Sequence, residues 1–136
     1  FFQPIRELSH EMAATLTQID YHREMALVAV GPGLPGQAVI YGLVNLNADP
    51  NSDRAEYSIM VDRTMMGLGL GHGLMRRIID YARARGIGEI YGEVLQENQP
   101  MLRLNRMLGF AVHADPDDPS LKHVVLTLHH IGMSAG

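Results

Sequence analysis

The sequence predicts a single domain of the mixed α/β class, with a largely antiparallel sheet flanked by helices. Its 136 residues fit one domain and leave little room for two. Hydrophobic residues make up 46% of the chain and charged residues 19%, which is typical of a packed globular protein and excludes disorder. The apolar pattern alternates between the two-residue period of strands and the longer period of helices, and it predicts the element order αβββαβαββ.

The first half of the chain is predicted to hold one helix and three strands. Ser9 is a suitable N-cap, and apolar residues recur at helical spacing as far as Ile19. Short apolar runs predict strands over residues 26–30, 38–46 and 54–61, separated by segments rich in glycine, proline, asparagine and aspartate. Because short polar loops cannot carry parallel crossovers, we expect these three strands to form an antiparallel meander.

The second half is predicted to hold two helices and three strands. Apolar residues repeat every four positions from Leu70 to Ala82, and Gly86 is suited to end this helix in a left-handed conformation. Asn98 is a suitable N-cap for the second helix, which Gly109 ends. The predicted strands cover residues 87–95, 110–114 and 121–128.

Composition and charge exclude several classes of protein. The chain has no cysteine, which excludes a disulfide scaffold and cysteine-ligated zinc and suits the reducing cytoplasm. A formal net charge of −4 disfavours nucleic-acid binding, and no apolar run approaches the ~18 residues of a membrane span. The seven histidines lack metal-ligand spacing, so we expect no metal site. Because the chain begins with Phe1, we expect residues 1–136 to be one domain cut from a longer protein.

A glycine-rich segment, residues 67–73, lies directly before and within the start of the long predicted helix. Unpaired N–H groups and the positive end of the helix dipole favour phosphate at such a place, although glycine richness alone fits a flexible connection equally well. A P-loop needs Lys-Ser/Thr after its last glycine, where this chain has His72-Gly73. A dinucleotide fingerprint needs glycine at position 72 or 74, where His72 and Leu74 stand. Both nucleotide-binding motifs are therefore excluded.

The segment resembles the signature of the GCN5-related N-acetyltransferases (GNAT), which is Gln or Arg, two residues, Gly, one residue, then Gly or Ala. The matching residues are Met66, Gly67, Leu68, Gly69, Leu70 and Gly71, followed by His72. A second signature of the family, an asparagine followed by a helix that ends in Gly-Phe, is matched by Asn98 through Gly109-Phe110. The two motifs stand in the family's order, and the resemblance covers nearly the whole chain.

The resemblance implies a GNAT fold and acetyl-CoA as co-substrate. The backbone of the glycine turn would hold the coenzyme A pyrophosphate, and the strand residues Ile59, Met60 and Val61 would pair with the pantetheine arm. Met66 stands where the family has Gln or Arg, a change that a mainly backbone cradle should tolerate. Asn105 stands where many members have a tyrosine general acid. We assign no acid, because a thiol of pKa ~8.5 leaves reasonably well as its own anion.

Glu56 is the predicted general base. Strand alternation puts Glu56 and Ser58 on the same face, and a charge within this largely apolar strand is unusual. In protein-lysine acetyltransferases of this superfamily, a glutamate occupies this strand position shortly before the pyrophosphate turn. The alternative is a solvated glutamate at a sheet edge. Asp20 and Glu24 are further carboxylates that either line the acceptor groove or merely cap the first helix.

A closer resemblance is to the acetyltransferase domain of the bacterial Pat-type protein acetyltransferases. The matching segments are residues 16–26, 54–57, 67–71 and 98–102. This resemblance implies transfer of acetyl to a lysine of a partner protein, an AMP-forming acyl-CoA synthetase. Two alternatives stay open, namely acetylation of a small amine or antibiotic, and a non-catalytic module that senses acyl-CoA.

Overall fold

The computed structural model describes residues 2–5, 15–31, 39–51, 53–65 and 67–128 of the chain. These residues form eight strands and two α-helices, with a short 3-10 turn at Arg63–Met65. The strands are β1 Phe2–Ile5, β2 Thr15–Asp20, β3 Glu24–Val30, β4 Ile40–Ala48, β5 Arg54–Val61, β6 Glu89–Leu95, β7 Ala111–Ala114 and β8 Leu121–Thr127, and the helices are α1 Leu70–Ala84 and α2 Gln99–Met107. Within these residues, no helix is long and apolar enough to cross a membrane.

The strands form one mixed sheet in the order β1-β2-β3-β4-β5-β6-β8-β7. Neighbouring strands pair antiparallel, except β5 and β6, which run parallel because α1 forms the crossover between them. The predicted antiparallel meander is confirmed as β3, β4 and β5. The predicted class, a mixed and largely antiparallel sheet with flanking helices, is confirmed with it.

The prediction of an N-terminal helix is wrong where the structure describes that segment. Thr15–Asp20, the end of the predicted helix, is strand β2 and pairs antiparallel with β1 and β3. Fully buried Leu16 lies opposite Ala29 of β3. Threonine and isoleucine alternate with other side chains here and pack well on a sheet, so strand pairing overrides the helical spacing. The predicted N-cap Ser9 lies outside the described residues, and β1 was not predicted.

Helix α1 packs against the sheet through its predicted apolar stripe, which is confirmed. The stripe consists of the buried residues Leu70, Leu74, Ile78 and Ala82. Gly42 of β4 permits close approach, because a Cβ at this position would lie 3.0 Å from Leu70 and 3.1 Å from Leu74. Gly86 follows the helix with a φ of 80°, as predicted for a left-handed end.

Helix α2 begins and ends where the sequence predicts. The Asn98 side chain accepts a hydrogen bond from the Met101 backbone N–H at 3.3 Å, which is the geometry of an N-cap. Gly109 follows the helix with a φ of 98°. Leu102 and Asn105 are the buried residues of α2, and Asn105 is the one buried polar residue in the part of the chain described.

Candidate functional site

The parallel strands β5 and β6 separate after three residue pairs, and this separation opens the sheet. Their last pair is Glu56 with Tyr91. Beyond it, β6 continues to pair with β8, whereas no strand among the described residues pairs with this edge of β5 from Tyr57 to Val61. The backbone N–H and C=O groups along such an open edge can pair with an extended ligand that carries amides of its own.

The open edge of β5 leads toward the N-terminus of α1. Gly69 is the N-cap of this 15-residue helix, with φ 86° and ψ 2°. A helical hydrogen bond runs from the Gly73 N–H to the Gly69 carbonyl at 3.0 Å. The N–H groups of Leu70, Gly71 and His72 precede this bond, and no helical acceptor for them occurs among the described residues. No acidic residue lies in the first turn. The helix end therefore favours an anion.

A cleft of about 910 Å³ joins the open strand edge to the helix end. Its lining comes from β4, β5, the turn before α1, and the first turns of α1 and α2. The lining residues are Ile40, Tyr41, Gly42, Leu43, Ile59, Met60, Val61, Asp62, Arg63, Met65, Gly67, Gly69, Leu70, Gly71, His72, Asn98, Pro100, Met101 and Leu104. One continuous groove thus joins a mostly apolar channel to a helix N-terminus that favours phosphate.

Most of the residues predicted for coenzyme binding line this cleft. They are Ile59, Met60, Val61, Gly67, Gly69, Leu70, Gly71, His72 and Asn98. The predicted residue Leu68 does not line it, and its side chain is 52% exposed to solvent. Met66 lies outside the described residues.

The glycines of the turn serve two different purposes. Gly67 and Gly69 have φ values of 82° and 86°, a left-handed conformation that side chains with a Cβ rarely adopt. Gly71 has no such constraint. A Cβ at Gly71 would lie 3.5 Å from Leu104 and 3.9 Å from Val61, which both line the cleft, so glycine at this position keeps the cleft open beside the helix end.

The sequence motifs did not predict that residues of β4 and α2 line the cleft. Ile40 and Leu43 of β4, together with Met101 and Leu104 of α2, line it. Met101 and Leu104 follow closely after Asn98, so the second motif carried a usable signal. Ile40 and Leu43 carry no local signal, because only the pairing of β4 with β5 brings them to the cleft.

Glu56 lies apart from the cleft, at the point where β5 and β6 separate. The predicted alternation holds, since Ala55 and Tyr57 are buried while Glu56 and Ser58 are exposed. Glu56 lines a separate, smaller pocket of about 310 Å³. The other residues of this pocket, which we call the Glu56 pocket, are Arg23, Asn47, Ala48, Asp49, Pro50 and Tyr91. Asp20 and Glu24 line neither the cleft nor the Glu56 pocket.

Tyr91 organises the polar side of the Glu56 pocket. Its hydroxyl donates a hydrogen bond to Asp49 Oδ1 at 3.3 Å, and the Arg54 guanidinium lies 4.2 Å from its ring centroid. Arg54 is itself bonded to Glu89 at 2.6 Å. The pKa of Tyr91 is raised mainly by desolvation and, to a smaller extent, by the negative charges of Asp49 and Glu56. The hydroxyl therefore stays protonated near neutral pH and donates toward the carboxylate side of the pocket.

Asn105, at the position where the family often has a tyrosine, is fully buried and lines neither pocket. Its Oδ1 accepts a hydrogen bond from the Tyr57 hydroxyl at 2.8 Å, and its Nδ2 donates to the Met101 carbonyl at 2.7 Å. Burial raises the pKa of Tyr57 to about 12, although the bond to Asn105 acts in the opposite direction. The amide is occupied within the protein and is not presented to the cleft.

No group of three or more histidine, aspartate or glutamate side chains able to hold a metal ion occurs in the described ranges. A cluster of titratable side chains surrounds His123. Its Nε2 lies 2.7 Å from Asp115 Oδ2 and its Nδ1 lies 3.8 Å from Glu93 Oε2. The pKa of the Asp115 carboxyl is lowered by its hydrogen bond to His123 and by the backbone N–H groups of Asp117 and Asp118.

The split sheet and the glycine turn at the start of α1 form a site that suits an extended ligand with an anionic group. Residues 2–110 match the model of the acetyltransferase (GNAT) family. This match spans most of the 136 residues, so the chain belongs to the GNAT family of N-acetyltransferases.

The chain is similar to several named proteins and solved structures. It is 33% identical to acetyltransferase PA5475 of Pseudomonas aeruginosa over 118 residues, which is 87% of this chain and 63% of that protein. The structure of yncA from Salmonella typhimurium, solved with its cofactor acetyl-CoA, is 25% identical with a TM-score of 0.63 and covers 83% of this chain and 70% of that one. The GNAT domain of S. lividans PAT is 22% identical with a TM-score of 0.64, covering 79% and 64% of the two chains, and shows likeness of fold alone.

Proposed function

We propose that this chain binds acetyl-CoA in the cleft and transfers its acetyl group to a lysine amine of a protein. The observation that carries the proposal is the continuous groove from the open edge of β5 to the N-terminus of α1. Acetyl-CoA needs both parts, because its pyrophosphate is anionic and its pantetheine arm is extended and carries amides. The yncA structure, which holds acetyl-CoA in a similar fold, supports this choice of ligand.

In this proposal, each part of acetyl-CoA would lie against its own set of residues in the groove. The N–H groups of Leu70, Gly71 and His72 would hold the pyrophosphate. The backbone of Ile59 to Val61 would pair with the amides of the pantetheine arm, as an added strand pairs with a sheet edge. Because β5 runs from the separation point toward the helix end, the acyl end of the arm then faces Glu56 rather than α1.

Glu56 would serve as the general base. A lysine amine has a pKa near 10.4, so about one molecule in a thousand is neutral at pH 7.4, and holding it neutral costs about 4 kcal/mol. A carboxylate that accepts the proton offsets this cost. Glu56 is exposed, lies at the separation point of the strands, and lines a pocket that opens to solvent. Since Asn105 is buried and occupied, the coenzyme A thiolate would leave without a proton donor at that position.

The proposed acceptor is an AMP-forming acyl-CoA synthetase. The sequence segments shared with Pat-type enzymes support it, and the absence of cysteine suits a cytoplasmic reaction. Acetylation of a small amine or antibiotic is the alternative among enzymes, and an acyl-CoA sensor is the alternative among binding modules. The three functions differ in the acceptor they need. Protein acetylation needs a protein, small-amine acetylation needs a small amine, and a sensor needs no acceptor.

An intact-mass experiment separates these functions. The domain and acetyl-CoA are incubated with an AMP-forming acyl-CoA synthetase, and in parallel with a panel of polyamines, aminoglycosides and free lysine. We expect the synthetase to gain the mass of an acetyl group while the amines stay unmodified. Turnover of an amine without modification of the protein would replace the proposal with small-amine acetylation. Binding of acetyl-CoA without thiol release in any reaction would identify a sensor.

A further inference from the structure

The side chain of Tyr57 fills the point where the two parallel strands separate. Tyr57 is the first residue of β5 beyond the last pair, and Gly92 is its counterpart on β6. A Cβ at Gly92 would lie 2.6, 2.9 and 3.1 Å from three atoms of the Tyr57 ring. The ring therefore lies directly on the β6 backbone, and glycine is required at position 92 for it to do so.

The Tyr57 side chain also joins the two walls of the cleft. Its hydroxyl donates to Asn105 of α2, and its ring makes an edge-to-face contact with Phe110 at a centroid distance of 5.7 Å. The Phe110 N–H in turn donates to the Asn105 carbonyl at 2.8 Å. Because β5 forms one wall and α2 contributes Met101 and Leu104 to the other, this buried set connects the elements of both walls.

The buried Tyr57 hydroxyl and Asn105 amide have few alternative hydrogen-bond partners. Tyr57 is 4% exposed and Asn105 is 0% exposed, so neither can exchange its partner for bulk water. Asn105 is further fixed by its donation to the Met101 carbonyl one turn earlier in α2. Removing the Tyr57 hydroxyl would leave Asn105 Oδ1 buried without that donor, and α2 would be free to settle differently against β5.

We propose that Tyr57, Gly92 and Asn105 form a lock that sets the spacing between β5 and α2 for the pantetheine arm of acetyl-CoA. The proposal rests on the proposed function. The three are positioning residues, because none of them lines the cleft and they act through β5 and α2. The lock lies near the separation point, so it governs the pantetheine half of the groove, whereas the helix end that would hold the pyrophosphate is built separately by α1.

Two ligands distinguish an effect of the lock on the pantetheine half of the groove from a general loss of structure. Acetyl-CoA occupies the whole groove, whereas 3′-phospho-ADP is the nucleotide part of coenzyme A without the pantetheine arm. Tyr57→Phe keeps the ring and removes only the hydroxyl. In calorimetry on folded protein well below its melting temperature, it should weaken acetyl-CoA binding by roughly five- to tenfold and leave 3′-phospho-ADP binding unchanged. Asn105→Leu should do the same.

Tyr81→Phe is the matched control, because Tyr81 lies on α1 away from the cleft and its hydroxyl accepts a hydrogen bond from Arg85, which follows the helix. It should change neither affinity. Equal weakening of both ligands by Tyr57→Phe would show a general loss of structure and overturn the lock, as would unchanged acetyl-CoA affinity. If the wild-type protein binds neither ligand, the proposed function fails and the lock with it. Wild-type binding with an insensitive Tyr57→Phe variant rejects the lock alone.

Discussion

Replacing Glu56 by glutamine tests the assignment of the general base with little structural disturbance. Glutamine keeps the shape of the side chain and its hydrogen-bonding capacity, but it cannot accept the proton of the amine. Glu56 is exposed and forms no part of the core, so the variant should fold normally. It does not line the cleft, so acetyl-CoA affinity should barely change.

The size of the loss follows from the exposure of the site. General-base catalysis is typically worth ~10²–10⁴ in rate. Because Glu56 is exposed, water and buffer can take over part of the proton transfer, and we expect the lower half of that range, about 10²–10³. The neutral fraction of a lysine amine rises about a hundredfold between pH 7.4 and 9.4. The turnover of Glu56→Gln should rise over the same interval, whereas wild-type turnover should change much less.

The assay measures thiol release at saturating acetyl-CoA across this pH range. Glu93→Gln is the matched control, because Glu93 is an exposed carboxylate two residues beyond Tyr91, the pairing partner of Glu56, and so faces the same side of the sheet. It should keep nearly normal turnover. A folded Glu56→Gln protein with near-normal turnover at neutral pH would refute the assignment. Asp20 and Glu24 would then be the next carboxylates to test.

Three further predictions concern other parts of the molecule. Gly71→Ala should keep or slightly raise the melting temperature, because its Cβ makes ordinary contacts and alanine favours helix over glycine by up to ~1 kcal/mol. Calorimetry should nevertheless show that the affinity for acetyl-CoA falls roughly tenfold or more. Any self-acetylation of a side chain must map to Lys122, the single lysine, and Lys122→Arg should leave transfer to an external protein intact. Since the pKa of Tyr57 is raised from 10.0 to about 12 in the folded state, its contribution to stability is present below pH 10 and is lost as the pH rises toward 12. The free energy of unfolding of the wild-type protein should fall by about 3 kcal/mol over this pH range because of Tyr57. Unfolding curves measured at alkaline pH should show no such contribution in Tyr57→Phe.

Local patterns in the sequence were sufficient to predict the parts of the site that lie close together along the chain. Gly69 and Gly71 stand at the start of a helix whose apolar stripe is regular, and Asn98 and Gly109 mark the ends of α2 by their capping chemistry. The alternation of exposed and buried residues around Glu56 is likewise a property of a single strand. Each of these features depends on neighbours within a few residues.

The remaining features depend on contacts between residues far apart in the chain. The divergence of β5 from β6 after Glu56 and Tyr91 has no local signal, and neither does the contact of the Tyr57 ring with Gly92. Strand β2 was mistaken for a helix because Leu16 and Ile19 also fit helical spacing, and only pairing with β3 decides between the two structures. The buried partnership of Asn105 with Tyr57 was missed for the same reason.

Mass-spectrometric mapping of acetylated lysines decides whether the domain modifies proteins. A bacterial lysate is treated with acetyl-CoA and the domain, in parallel with Glu56→Gln and with no enzyme. We expect new acetyl-lysines on a small set of proteins, AMP-forming acyl-CoA synthetases among them, that depend on the wild-type domain and are sharply reduced with the variant. A lysate in which the wild-type domain adds no acetyl-lysine above the enzyme-free background would contradict this expectation.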